Sequence, residues 1–166
     1  MTGKQVDTMT QTKPCGRILA PISGKTIDIT TVHDPVFAEK MTGDGLAIQA
    51  EDDTVIAPCD GRITLFFDTR HAFAITTDSG IQILVHIGLD TVLMNGEGIT
   101  ALHRCGEYVQ AGTPILRLDL PLLKKRKINL VSPVIIVNYE QVRDLTPLPA
   151  GRQVTTGQDI ILTYSL

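Results

Sequence analysis

The chain has 166 residues, 43% hydrophobic and 20% charged, with a net charge of −3. That length suffices for one domain with a real core, and that composition belongs to a globular chain, not a disordered one. The acidic balance, the absence of Trp and the lack of a basic stripe with interleaved aromatics argue against nucleic acid as a partner, and no apolar run is long enough to span a bilayer.

In chain order, the first dozen residues are polar and lack an apolar h-region. A flexible tail over 1–13 is expected there, not a signal peptide, followed by one domain over 14–166. Cys15, Cys59 and Cys105 are odd in number and form no C-x-x-C, so three reduced thiols in a cytoplasmic protein are expected. Strand signals are many and short. They are punctuated by Gly24, Gly43-Asp44-Gly45, Asp60-Gly61, Asp78-Ser79-Gly80, Gly96-Glu97-Gly98, Gly106, Gly112 and Gly157. Short alternating runs between regular turns predict an all-β antiparallel sandwich or barrel. Two helices are predicted, over 121–127 and 139–145, both too short to organise the fold.

Two pairs of segments repeat. Ile18-Leu19-Ala20-Pro21-Ile22-Ser23-Gly24-Lys25 resembles Val55-Ile56-Ala57-Pro58-Cys59-Asp60-Gly61-Arg62. Val109-x-x-Gly112-x-x-Ile115 resembles Val154-x-x-Gly157-x-x-Ile160. Each is a strand, a tight turn and a strand, so a duplicated β unit is expected.

His71 and His86 stand in strand-like runs on either side of Asp78-Ser79-Gly80. Alternation puts His71, Phe73 and Ile75 on one face of their strand, and Gln82, Leu84 and His86 on one face of the next. An even hairpin loop would pair residues whose numbers sum to 157. His71 would then lie directly opposite His86, with Cβ atoms about 4.5–5.5 Å apart. A three-residue loop would send the two to opposite faces unless a bulge intervenes. Such a pair supports three readings: nucleophile plus electrostatic helper, two metal ligands, or a polar patch.

The flanking residues narrow the choice. Gly80-x-x-Ile83-Leu84-Val85-His86-Ile87-Gly88-Leu89-x-Thr91-Val92 resembles the phosphorylation-site signature of the glucose-type enzyme IIA family of the bacterial phosphoenolpyruvate-dependent sugar phosphotransferase system. Val36-Phe37-Ala38-Glu39-Lys40, Ala57-Pro58-x-Asp60-Gly61, His71-Ala72-Phe73, Gly96-Glu97-Gly98 and Asp119-Leu120-Pro121-Leu122-Leu123 also match. The resemblance runs from about residue 14 to the C-terminus and implies a compact β-sandwich with internal duplication.

It further implies a cytoplasmic phosphotransferase component. His86 would accept a phosphoryl group on Nε2 from the phosphocarrier protein HPr and pass it to a cysteine of a sugar permease's IIB domain. His71 corresponds to the second active-site histidine, which stabilises the phosphoryl group, and Thr69 to the threonine that orients it. Asp34 and Asp90 correspond to acidic residues that position partners. Val36, Phe37, Met41, Phe67, Phe73, Leu84 and Val92 correspond to an apolar rim. No cofactor is required, although zinc could join His71 and His86 if a partner adds a carboxylate, since two protein ligands alone make a weak site. These roles suit phosphoryl transfer, whose loose transition state asks mainly for positioning and charge stabilisation.

The run Lys124-Lys125-Arg126-Lys127 replaces a more acidic stretch of familiar members and reads as a solvated helix face. Leu84 and Ile87 stand where some members carry Phe. Three other readings compete with this one. A regulator of permeases or kinases would use the same face. A LytM-like zinc peptidase would match His86-x-x-x-Asp90, but the chain contains no H-x-H. A lipoyl- or biotinyl-type carrier lacks its hairpin-tip Lys.

Overall fold

The computed structural model describes residues 16–166. The expected tail over 1–13 and Cys15 lie outside the described residues; Cys59 and Cys105 are free thiols. The strands are β1 (Gly16–Leu19), β2 (Gly24–Asp28), β3 (Asp44–Ala50), β4 (Thr54–Ile56), β5 (Gly61–Phe66), β6 (Ala72–Thr76) and β7 (Gln82–His86). They continue with β8 (Ile99–Ala101), β9 (Tyr108–Val109), β10 (Pro114–Leu118), β11 (Val131–Ile136), β12 (Arg143–Pro147), β13 (Gln153–Val154) and β14 (Ile160–Ser165). An eight-stranded sheet runs β13-β2-β3-β11-β7-β6-β5-β9, and two three-stranded sheets run β1-β14-β12 and β4-β10-β8. Every pairing is antiparallel, as expected from the alternating runs.

Period-two alternation decides which face of the large sheet is buried. Leu46 and Ile48 of β3, Phe73 and Ile75 of β6, Ile83 and Val85 of β7, and Val134 and Ile136 of β11 enter the main core. There they join Ile18, Val55, Leu116 and Leu162 of the small sheets. Each fully buried aliphatic of this kind contributes about 1.5–3 kcal/mol of transfer free energy. The alternate residues Ala47, Ala72, Ala74, Leu84 and Ile135 point outward. They are covered by Ile29, which opens a 3-10 turn, by Val32, which caps that turn, and by Phe37 of helix α1 (Pro35–Ala38). His86, the last residue of β7, shares this outer face with Leu84.

The duplication is present in the hydrogen bonding. Gly24 of β2 pairs with Val154 of β13, and Gly61 of β5 pairs with Val109 of β9. Leu19 N–H donates to Pro58 O, and Ile56 N–H donates to Pro21 O, both at 2.9 Å, so the two Ala-Pro turns clasp each other. Gly157 N–H bonds Ala20 O, and Gly112 N–H bonds Ala57 O in the same way. The Ser23 hydroxyl accepts from Thr156 N–H, where the Asp60 carboxylate accepts from Ala111 N–H. Gly24 and Gly61 recur because strands cross there: a Cβ would run into the Gln49 carbonyl at one and the Thr76 carbonyl at the other.

The helix expected over 121–127 forms as α2 (Leu120–Lys125), with Asp119 accepting from Leu122 N–H and Pro121 in the first turn. The second expected helix does not form. Only a 3-10 turn covers Tyr139–Gln141, and Arg143 opens β12, which pairs with β14. Asp144 adopts φ 52°, outside right-handed helical space, and sheet pairing overrides the local preference.

Candidate active site

The β6–β7 register differs from the even-loop expectation. Ala72, not His71, lies opposite His86, and Thr76 lies opposite Gln82. Thr77 N–H bonds Ile81 O, which leaves Asp78-Ser79-Gly80 as a three-residue loop. Parity alone would then send His71 inward beside Phe73. Instead β6 starts at Ala72, and Arg70 adopts a left-handed φ of 61° just before it. His71 therefore stands outside the strand, its carbonyl accepting from Ile87 N–H at 2.7 Å. Its ring meets that of His86 edge to face, with centroids 4.8 Å apart and planes at 80°. The two histidines do come together, through a turn and not through the ladder.

His86 is half-buried at the end of β7. Its Nδ1 lies 2.7 Å from the Gly88 carbonyl oxygen. A carbonyl only accepts, so Nδ1 carries the proton and Nε2 keeps its lone pair in the neutral ring. Phe37 packs against the ring at 5.1 Å between centroids. Burial lowers the His86 pKa, while the Gly88 carbonyl and the nearby Asp34 carboxylate oppose that shift. The Gly88 loop is held from several sides. Gly88 N–H donates to the Ser132 hydroxyl at 3.1 Å, Leu89 N–H donates to Asn129 O, and the buried Thr91 hydroxyl donates to Ile87 O.

His71 is only 2% exposed. Burial, followed by the neighbouring His86, pushes its pKa down to about 4, so it is neutral near pH 7. Its Nδ1 lies 2.6 Å from the Thr69 hydroxyl. Thr69 makes this contact from the turn before β6. When Thr69 donates, the single ring proton of His71 sits on Nε2, which becomes a donor. Phe67 packs edge-on against His71 at 5.0 Å. Arg70, between Thr69 and His71, donates from Nε to Ile99 O and from Nη2 to Gly96 O, at 2.9 and 2.8 Å.

The expected rim separates into three groups. Val36, Met41, Phe67 and Val92 are exposed, Met41 by 71%. Phe37 and Leu84 are buried beneath the site in the outer cluster. Phe73 is corrected: it points to the opposite face of the sheet, wholly within the main core, stacked on Phe66. Leu93, 75% exposed beside Val92 on the 3-10 turn Thr91–Met94, is an apolar surface residue that sequence reasoning missed. Its only local signal was adjacency to Val92. Asp34 caps α1 by accepting from Val36 N–H, whereas Asp90 opens the Thr91–Met94 turn with no side-chain cap. Ser132 and Arg70 were also missed, because their partners are remote in sequence. Among the described residues, no group of three or more His, Cys, Asp or Glu side chains is arranged to hold a metal. No helix among them is long and apolar enough to cross a membrane.

Known proteins match this chain closely. The family model for the phosphoenolpyruvate-dependent sugar phosphotransferase system, EIIA 1, matches residues 16–142. The chain is 45% identical over 149 residues to a PTS system glucose-specific EIIA component of Halalkalibacterium halodurans, covering 90% of this chain and 86% of that one. It is 38% identical over 145 residues to the protein of that name from Oceanobacillus iheyensis, covering 87% of each. The solved structure of glucose permease IIA from Mycoplasma capricolum superposes with a TM-score of 0.79 at 37% identity, covering 89% of this chain and 94% of that chain. By sequence and by fold, the chain belongs to the EIIA 1 family of the phosphoenolpyruvate-dependent sugar phosphotransferase system.

Proposed function

We infer that the chain is a cytoplasmic phosphocarrier with His86 as its acceptor. Nε2 attacks the phosphorus of phospho-HPr; the Nε2–P bond forms as the donor's N–P bond breaks. The thiolate of a IIB-domain cysteine later attacks the same phosphorus, and the Nε2–P bond breaks. The observation that carries this reading is the His86 Nδ1–Gly88 O bond, which leaves Nε2 unprotonated beside His71. His71, oriented by Thr69, donates from Nε2 to a phosphoryl oxygen as charge shifts during transfer. The exposed Val36, Met41, Phe67, Val92 and Leu93 offer apolar surface to protein partners and exclude water from the reacting atoms. Asp34 and Asp90 orient those partners. The names of the relatives favour a glucose-type permease as the destination. Zinc would find two imidazole nitrogens here and would take a third ligand from a partner's carboxylate.

Incubation with enzyme I, HPr and phosphoenolpyruvate, followed by intact mass measurement, tests the assignment. One phosphoryl group is expected on the wild type and none on His86→Ala. Label that survives in His86→Ala would sink it. His71→Gln is expected to accept phosphate at His86 and to pass it on slowly; wild-type onward transfer would remove His71 from the mechanism.

A further inference from the structure

We propose that Ser132 is a positioning residue for His86, setting its tautomer through Gly88. The proposal rests on the phosphocarrier reading. Ser132 lies on β11, which pairs with β7 from Ile136↔Ile83 to Val134↔Val85. Next along β11 stands Pro133, which has no N–H to donate, and the β7 ladder stops there. Past that point the Ser132 side chain takes over the link between the two segments. Its hydroxyl, fully buried, donates to Leu130 O at 2.9 Å and accepts from Gly88 N–H at 3.1 Å.

Gly88 is therefore held by both of its polar groups. Its N–H is fixed by Ser132, and its carbonyl accepts from His86 Nδ1. The peptide needs a left-handed φ of 73° to present the two in these directions. Without the hydroxyl, a buried N–H loses its acceptor. The loop would then turn that N–H toward another partner, and the Gly88 carbonyl would leave Nδ1. The imidazole would be free to move its proton to Nε2, where it blocks the attacking lone pair.

The test compares Ser132→Ala, Ser132→Val and Ser132→Thr. Threonine and valine have nearly the same shape, and only threonine keeps the hydroxyl. Two-bond proton–nitrogen correlation spectra of the unphosphorylated protein read the His86 tautomer directly. The wild type and Ser132→Thr are expected to hold the proton on Nδ1. Ser132→Ala and Ser132→Val are expected to show a tautomer mixture. Their phosphorylation rate by phospho-HPr should fall about tenfold, the weight of one hydrogen bond, at an unchanged half-saturating HPr concentration. Wild-type tautomer and rate in both hydroxyl-free variants would overturn the proposal. If those variants do not fold, amide exchange in the wild type decides. A Gly88 N–H protected like the β7–β11 ladder supports the tether, and exchange at open-loop rates refutes it. A wild type that accepts no phosphate would defeat the phosphocarrier reading, while the spectra would still decide the role of Ser132.

Discussion

His71→Gln should remove a specific part of the protein's acid sensitivity. The His71 pKa falls from an ordinary 6.5 to about 4 on folding, because burial and the adjacent His86 disfavour its charged form. The unfolded chain therefore binds this proton first as pH drops. Stability from this site is complete above pH 6.5 and is lost progressively between 6.5 and about 4. At 1.36 kcal/mol per pH unit, the gap of about 2.5 units amounts to roughly 3 kcal/mol. That figure is an upper bound, since a protonated ring can turn an edge toward solvent. At about pH 5 the expected loss is roughly 2 kcal/mol, or about 4–8 °C in Tm for a chain of this size. Glutamine does not titrate and keeps an amide that can bond Thr69. Urea unfolding of both proteins from about pH 7.5 down to about pH 4.5 checks this. The carboxylates and His86, whose pKa burial also lowers, titrate in both proteins, so the difference between the two stability curves reports chiefly on His71. The wild type should lose stability faster than the variant as pH falls below 6.5. Parallel curves would refute the placement of a neutral, buried imidazole at this position.

Other consequences are equally direct. Gly88→Ala places a Cβ 2.7 Å from Asn129 O and against the Thr91 hydroxyl at a left-handed φ. It should cost at least about 1–2 kcal/mol, measured by thermal melting, and slow acceptance at His86. Arg70→Ala cuts the tether from the His71 turn to the Gly96 and Ile99 carbonyls. Single-turnover assays should show impaired onward transfer with near-normal acceptance, and equal losses in both steps would contradict this. Phe73→Ala should destabilise by about 3–5 kcal/mol as a core truncation. Leu93→Ser should leave Tm nearly unchanged and raise the half-saturating HPr concentration; the reverse pattern in denaturation and kinetics would exchange their assignments.

The all-β architecture, its duplication and the sharing of one strand face by Leu84 and His86 were legible in the sequence. Each depends on local chemistry. Side chains alternate with a period of two, and glycine recurs where strands cross too closely for a Cβ. Thus Phe73 and Ile75 share one face of β6, and Ile83 and Val85 one face of β7, as their spacing required, although only the register made these the same inner face; Gly24 and Gly61 hold equivalent places. The approach of His71 to His86 was decided only in three dimensions. The hairpin loop proved to have three residues, and a left-handed Arg70, anchored to carbonyls far along the chain, carried His71 to the face of His86. The resemblance likewise placed Phe73 on the rim and left Leu93 out, since one apolar residue looks like another until packing covers it. It gave Ser132 no connection to the site. Alternation is a property of neighbouring residues, whereas register, exposure and hydrogen-bond partners are set by segments that meet only after folding. The signature around His86 resembles the family's, and that resemblance implied His86, not His71, as the acceptor. The state of that histidine, with its proton held on Nδ1 by a carbonyl that Ser132 anchors, was decided by tertiary structure.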